Sequence, residues 1–155
     1  MPDDAAWMEL ALAEADRALE HADVPIGCVV VGADGVELSR DHNRREECGD
    51  PTAHAEVLAL RSAAAKVGHW RLEGATVYAT LEPCVMCAGA LVNARVHRVV
   101  FAATDLKAGA LVTLFSVGAD ARLNHRFEIL GGVRAEESVA RLRAFFEALR
   151  RAGEK

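Results

Sequence analysis

Two pieces of one stretch decide how this chain is read: Asp50-Pro51-Thr52-Ala53-His54-Ala55-Glu56 and Thr80-Leu81-Glu82-Pro83-Cys84-Val85-Met86-Cys87. Between them Val57, Leu58, Leu60 and Ala64 recur at helical spacing, and Gly68 supplies the stop after Val67. The spacing predicts a helix from Thr52 or Ala53 to about Val67. Gly74 then precedes an apolar strand from Ala75 to Thr80, and Pro83 pre-sets the backbone for a second helix from about Cys84 to Ala94. His54 and Glu56 thus fall in the first turn of one helix, and Cys84 and Cys87 in the first turn of another.

Working outward, residues 6–21 read as an amphipathic helix with Leu10, Ala13 and Ala18 on its apolar side. The run Ile26 to Val31 is a short β-branched strand, Asp34-Gly35 a strong hairpin turn, and Val36 to Arg40 the return strand. The polar segment from Asp41 to Pro51 reads as a loop. Beyond the central stretch, Val96 to Ala102 is another strand, and Thr104 to Arg126 is a functional loop with one short helical turn. Phe127 to Leu130 makes a last short strand. Glu136 to Arg151 closes the chain as a helix, with Val139, Leu142, Phe145, Phe146 and Leu149 inward; because Phe145 and Phe146 are adjacent, one is expected in the core and the other exposed. A hairpin followed by strand–helix alternation implies one domain over 1–155, a three-layer α/β/α sandwich on a mixed sheet of about five strands.

The residue types at the two helix starts suit one metal ion. Cysteines three apart on a helix point the same way, and a helix amino terminus favours the thiolate form that binds metal. His54 with Cys84 and Cys87 makes three ligands. A structural zinc is usually closed by four, whereas a catalytic zinc keeps a position for water, whose pKa falls toward about 7. Glu56 would then carry protons for the hydroxide formed there. The alternatives stand beside this reading: Cys-x-x-Cys is also half of a four-ligand structural site, and Glu56 taken alone is an ordinary helix residue. His21, His42, His69, His97 and His125 are conceivable fourth ligands, but none has a paired ligand spacing.

Composition narrows the class. The chain has 155 residues, 52% hydrophobic and 26% charged, with a net charge of −5. That charge gives no signal for nonspecific polyanion binding, although it permits an enzyme that docks one folded RNA. No apolar run reaches the length of a bilayer span, and Met1-Pro2-Asp3-Asp4 lacks the basic start of a secretion signal, so a cytoplasmic location and no membrane partner are expected. Of the remaining cysteines, Cys28 reads as a buried strand thiol, and Cys48 has no assigned role.

His-x-Glu followed at a distance by Pro-Cys-x-x-Cys is recognised as the signature of zinc-dependent base deaminases. Further elements make the chain resemble the bacterial tRNA-specific adenosine deaminases, a branch of the cytidine-deaminase-like superfamily. They are Val24-Pro25-Ile26-Gly27, Asn43-Arg44, Leu81-Glu82-Pro83 through Ala88-Gly89-Ala90, Arg98-Val99-Val100-Phe101, Asp105, Lys107, Gly109, Leu123-Asn124-His125-Arg126, and Phe145-Phe146 followed by Arg150. The resemblance implies one Zn2+ per subunit on His54, Cys84 and Cys87, and proton transfer by Glu56. It implies conversion of a wobble adenosine, position 34 of an arginine tRNA, to inosine by a homodimer. It also implies that Asn43 hydrogen-bonds the flipped base and that the backbone at Ala55 holds the product oxygen. Asp105, Lys107, Asn124, Phe146 and Arg150 match positions that touch the anticodon loop. Leu111-Val112-Thr113 departs from the family, which has small and polar residues there. Blander readings remain: Asn43 as a turn cap, Asp105 and Lys107 as solvated loop, Arg150 as a favourable charge at a helix end. Two rival functions also remain, deamination of a free base or nucleoside of guanine or cytosine type, and a noncatalytic zinc-stabilised subunit.

Overall fold

The computed structural model describes residues 3–153. Five strands form one sheet in the order β2-β1-β3-β4-β5, where β1 is Gly27–Val31, β2 Glu37–His42, β3 Thr76–Leu81, β4 Arg98–Ala103 and β5 Glu128–Leu130. β1 runs antiparallel to both β2 and β3, while β3, β4 and β5 are parallel. The expected hairpin forms around Asp34, whose carboxylate accepts the Val36 N–H, and Gly35 takes the left-handed conformation (φ 81°) that the turn needs.

Alternation along the strands sends side chains to two separate cores. Val29, Val31, Tyr78, Val100 and Ala102 meet α1 (Asp4–Arg17) on one face. Cys28, Val30, Val77, Val99 and Phe101 meet α3 (Ala55–Val67) and α4 (Val85–Asn93) on the other. Helices cover both faces, as expected for a three-layer α/β/α sandwich on a five-stranded mixed sheet. Gly27 marks where α1 lies closest to the sheet: a Cβ there would sit 2.0 Å from the Ala11 carbonyl oxygen.

Four expectations change in detail. α1 begins at Asp4, capped by the Asp3 carboxylate, and a 3-10 turn continues it from Ala18 to His21. Its buried stripe is Met8, Ala11, Leu12, Ala15 and Ala18, so Ala13 faces solvent. Glu14 is buried instead, because it pairs with His42. The loop after β2 contains a helical turn, α2 (Arg45–Cys48), whose Glu46 and Glu47 N–H groups donate to the distant Asp23 carboxylate. The closing helix α5 (Ala135–Arg151) is attached near its start, where Ser138 donates to the Thr80 carbonyl and Arg141 pairs with Asp16. Its apolar side is largely open: Phe145 is half-buried and Phe146 is 42% exposed, so neither enters the core as expected of one of them.

Candidate active site

In a parallel sheet the amino ends of the following helices gather beyond the carboxyl ends of the strands. Here β3 delivers the chain to α4, and α3 brings its own start to the same edge. His54 and Cys84 are the residues immediately before their helices, both extended (ψ 151° and 178°) and neither making a side-chain cap. They stand one position earlier, relative to their helices, than the expected first turn. The effect is to aim both side chains across the gap rather than along a helix flank. Uncapped N–H groups of two helices therefore converge on one point, which favours negative charge there.

His54 Nδ1 lies 3.6 Å from Cys84 Sγ and 3.5 Å from Cys87 Sγ. A tetrahedral zinc with bonds of about 2.05 Å to nitrogen and about 2.3 Å to sulfur sets those two edges at about 3.6 Å. The donor set and spacing therefore fit zinc, and no fourth protein donor joins this group among the described residues. The protonation of the trio follows its contacts. A hydrogen bond from the Cys87 thiol, and then His54, hold Cys84 down to about 3. His54 is pushed up by its hydrogen bond to Cys84. Cys87 is pushed up by Cys84 and by burial, so a cation binding here displaces a proton from Cys87.

Glu56 is 4% exposed and sits in the first turn of α3 against Cys87. Burial pushes its carboxyl up to about 7, although the helix backbone and His54 pull the other way. A carboxyl poised there gains and loses a proton readily near neutral pH.

A cleft of about 130 Å³ opens over these groups, lined by Val24, Ile26, Asn43, Arg45, Leu81, Asp105 and Ala108. Drug-sized ligands need roughly 300–1,000 Å³, so this cleft suits one flat ring. Asn43 stands in its wall, with Nδ2 donating to the Val24 carbonyl and Oδ1 accepting the Arg45 N–H. The turn-capping reading of Asn43 is thus realised, in a residue that also lines the cleft. Asp105 also borders the cleft, its carboxylate accepting the N–H groups of Lys107 and Ala108 in a tight turn. Lys107 is exposed at the rim.

Asn124 is not brought to this cleft within one chain. β5 is parallel to β4, so the chain must return to the opposite edge of the sheet before β5 begins; there Asn124 shares a hollow with Arg71, Glu73, Arg95 and His97. Phe146 and Arg150 lie exposed on α5 and do not line the cleft.

Two residues at the cleft were not singled out from sequence. Arg45 lines it and follows the Asn43-Arg44 pair directly, which was the available signal. Glu82, 2% exposed, accepts the N–H groups of Asp105, Leu111, Val112 and Thr113 and the Thr113 hydroxyl, fastening the loop that forms one wall. Three of those bonds come from backbone at 111–113 and one from the Thr113 hydroxyl, so the Leu111-Val112-Thr113 departure keeps the loop anchored. No signal beyond the glutamate before Pro83 marked it.

A mixed five-strand sandwich with three soft donors, a buried carboxyl and a ring-sized cleft defines the class of zinc-dependent base deaminases of cytidine-deaminase-like fold. A family model described as the cytidine and deoxycytidylate deaminase zinc-binding region matches residues 1–103. The tRNA-specific adenosine deaminase of Bacillus subtilis (strain 168) is 47% identical over 151 residues, covering 97% of this chain and 93% of that one. That of Haemophilus influenzae is 41% identical, covering 95% and 85%. A solved structure from work on A-to-I editing by tRNA:A34 deaminases superposes with a TM-score of 0.84 at 42% identity, covering 88% of this chain and 99% of the other. A guanine deaminase of Nitrosomonas europaea shares the fold at 22% identity and a TM-score of 0.81. The chain belongs to the tRNA-specific adenosine deaminase family.

Proposed function

We propose that this chain hydrolyses the wobble adenosine of a tRNA, position 34, to inosine and ammonia, with His54, Cys84 and Cys87 holding zinc and Glu56 carrying protons. One observation carries the assignment of roles: a single imidazole nitrogen faces two sulfurs at the edge length of a zinc tetrahedron, with a buried carboxyl beside them. Zinc held there supplies Lewis acidity that lowers the pKa of water from about 15.7 toward about 7. Glu56 takes a proton from the attacking water and delivers it to N1 of adenine as the oxygen bonds to C6. The carboxylate then takes the remaining proton from the C6 hydroxyl and passes it to the amine, so that the C6 carbonyl forms as the C6–N bond breaks and ammonia leaves. Asn43 hydrogen-bonds the base in the cleft, and the Ala55 N–H at the start of α3 holds the new oxygen.

The base reaches this depth only when unstacked, which an anticodon loop permits. Asp105, Lys107, Phe146 and Arg150 contact that loop, and an arginine tRNA is the expected substrate. The enzyme works in the cytoplasm; no helix among the described residues is long and apolar enough to cross a membrane. It acts as a homodimer. An apolar hollow on the outer faces of α3 and α4, walled by Val57, Leu60, Ala64, Ala90 and a 54% exposed Trp70, supports pairing there, as do the exposed Leu114 and Phe115. A site shared between two copies also accounts for Asn124 lying away from its own cleft.

The test is to incubate the zinc-loaded protein with an arginine tRNA bearing adenosine at the wobble position and, separately, with free adenine, adenosine, guanine, cytosine and cytidine. Inosine in the tRNA with no ammonia from free bases is the expected result. Ammonia from a free base and none from tRNA refutes it.

A further inference from the structure

Apart from the trio His54, Cys84 and Cys87, a second cluster of metal-competent side chains gathers around His42, the residue before Asn43. His42 is fully buried, and its Nδ1 lies 2.6 Å from Glu14 Oε2. His21 Nδ1 lies 2.6 Å from Asp23 Oδ2. Both carboxylates are buried, and Asp23 already accepts two backbone N–H groups, at 2.7 and 3.1 Å, so it is an acceptor only. An imidazole that carries a single N–H spends it here on its carboxylate through Nδ1. Both Nε2 atoms are left as lone pairs, and they face one another at 3.1 Å. Two lone pairs hold that distance only with positive charge at the point they share.

We propose that this point is a second divalent-metal site, with His21 Nε2 and His42 Nε2 as nitrogen ligands, Glu47 as carboxylate ligand and water completing the shell. Glu47 Oε1 stands 3.7 Å from His21 Nε2, and the three donor atoms all lie within 4.8 Å of one another. Nitrogen ligands on a tetrahedral zinc sit about 3.3 Å apart, close to the distance observed. A carboxylate on the far nitrogen of each histidine is the arrangement that orients metal-bound imidazoles and raises their basicity. Imidazole with carboxylate selects zinc, copper or nickel rather than calcium or magnesium. Glu47 is 38% exposed and gives the ion a way in. The charges around the point are mixed: Glu14, Asp23, Asp41 and Glu47 are negative, Arg44 pairs with Asp41 and Glu47, and Arg17 approaches Glu14 at 3.6 Å. A divalent ion offsets the excess. Because Asp23 of this cluster accepts the first N–H groups of α2, and His42 directly precedes Asn43 in the chain, an ion there would fasten the wall of the base cleft without entering it.

The inference is independent of which base is deaminated, and cobalt separates the two sites by spectrum. Titrating the metal-stripped protein with Co2+ should show a first equivalent with near-ultraviolet thiolate charge transfer from Cys84 and Cys87. A second equivalent should add only weak visible absorption, because its ligands are nitrogen and oxygen. His21→Ala and His42→Gln should lose the second equivalent and keep the first, whose thiolate band also reports an intact fold. Glu47→Gln, at an exposed position, should weaken the second at least tenfold. One equivalent in the unaltered protein, or a second that survives all three substitutions, overturns the proposal and leaves a shared proton between the two imidazoles.

Discussion

Glu56 and Glu82 border the same cleft, both expose little surface, and are held in opposite states. Glu56 has few donors, and the pull of His54 is too small to offset its burial, so burial pushes it up to about 7. Burial acts on Glu82 in the same direction, but the Thr113 hydroxyl and the backbone donors around it outweigh it and keep the carboxyl below its ordinary range. Low exposure by itself therefore does not set the role of an acid. Depth and donor supply do: Glu82, saturated, is a fastener, while Glu56, deeper and undersupplied, is free to exchange a proton.

The largest effect that could break this contrast is on turnover. Glu56→Gln removes the proton carrier while leaving the three zinc donors in place. Deamination should fall by about 10²–10⁴-fold or more, with zinc content and unfolding midpoint unchanged. Activity near the unaltered level in the zinc-loaded variant would show that Glu56 is not the carrier.

Glu82→Gln should do the reverse. It keeps the size but gives up the charge and puts an N–H₂ among N–H donors, so stability should drop by about 3 kcal/mol. The pH dependence gives a second measure. Since the folded state holds Glu82 below its unfolded value of 4.5, its contribution is complete above about pH 4.5 and is lost as pH falls through the folded pKa. The stability gap between the two proteins, measured by denaturant unfolding, should therefore be widest near neutrality and narrow below pH 4.5. A gap that ignores pH would mean that the charge of Glu82 is not what fastens the loop.

The same contrast explains how much the sequence disclosed. The trio His54, Cys84, Cys87 and the neighbouring Glu56 were legible because each side chain stands at a helix start, and a helix start is written in local punctuation such as Pro83. The hairpin at Asp34-Gly35 is legible for the same reason. The five donors on Glu82 were not, since four are backbone groups 23 to 31 residues away and carry no residue signature. The helical turn α2 was read as loop because its cap, Asp23, lies 23 residues upstream of Glu46. His21 and His42 read from sequence only as conceivable fourth ligands beside the cysteines, and the structure places them apart from that trio; their pairing depends on α1 ending beside β2, a tertiary fact. α5 was read inward from its 3.6-residue period, but periodicity reports an apolar side and not what covers it.

A smaller and more selective test addresses the fastener from outside. Gly109 has no side chain, and a Cβ there would lie 2.4 Å from the Glu82 carboxyl carbon and from Oε1, and 2.6 Å from the Asp105 carbonyl. A flexible side chain could swing aside, but the Glu82 carboxylate is pinned by its five donors and the third neighbour is backbone. Gly109→Ala should therefore cost about 1–3 kcal/mol through overpacking rather than stabilise the loop as a Gly-to-Ala change would in open space. The carboxylate has to shift and loosen its bonds to 111–113, and with them the turn at Asp105. Because α3 and α4 are untouched, zinc content should hold and the loss should fall on KM for tRNA more than on kcat. In a Glu82→Gln background the added methyl should cost less, since the pinned charge it collides with is already gone. Equal costs in both backgrounds would place the strain on the Asp105 carbonyl and remove Glu82 from the account of how this wall is held.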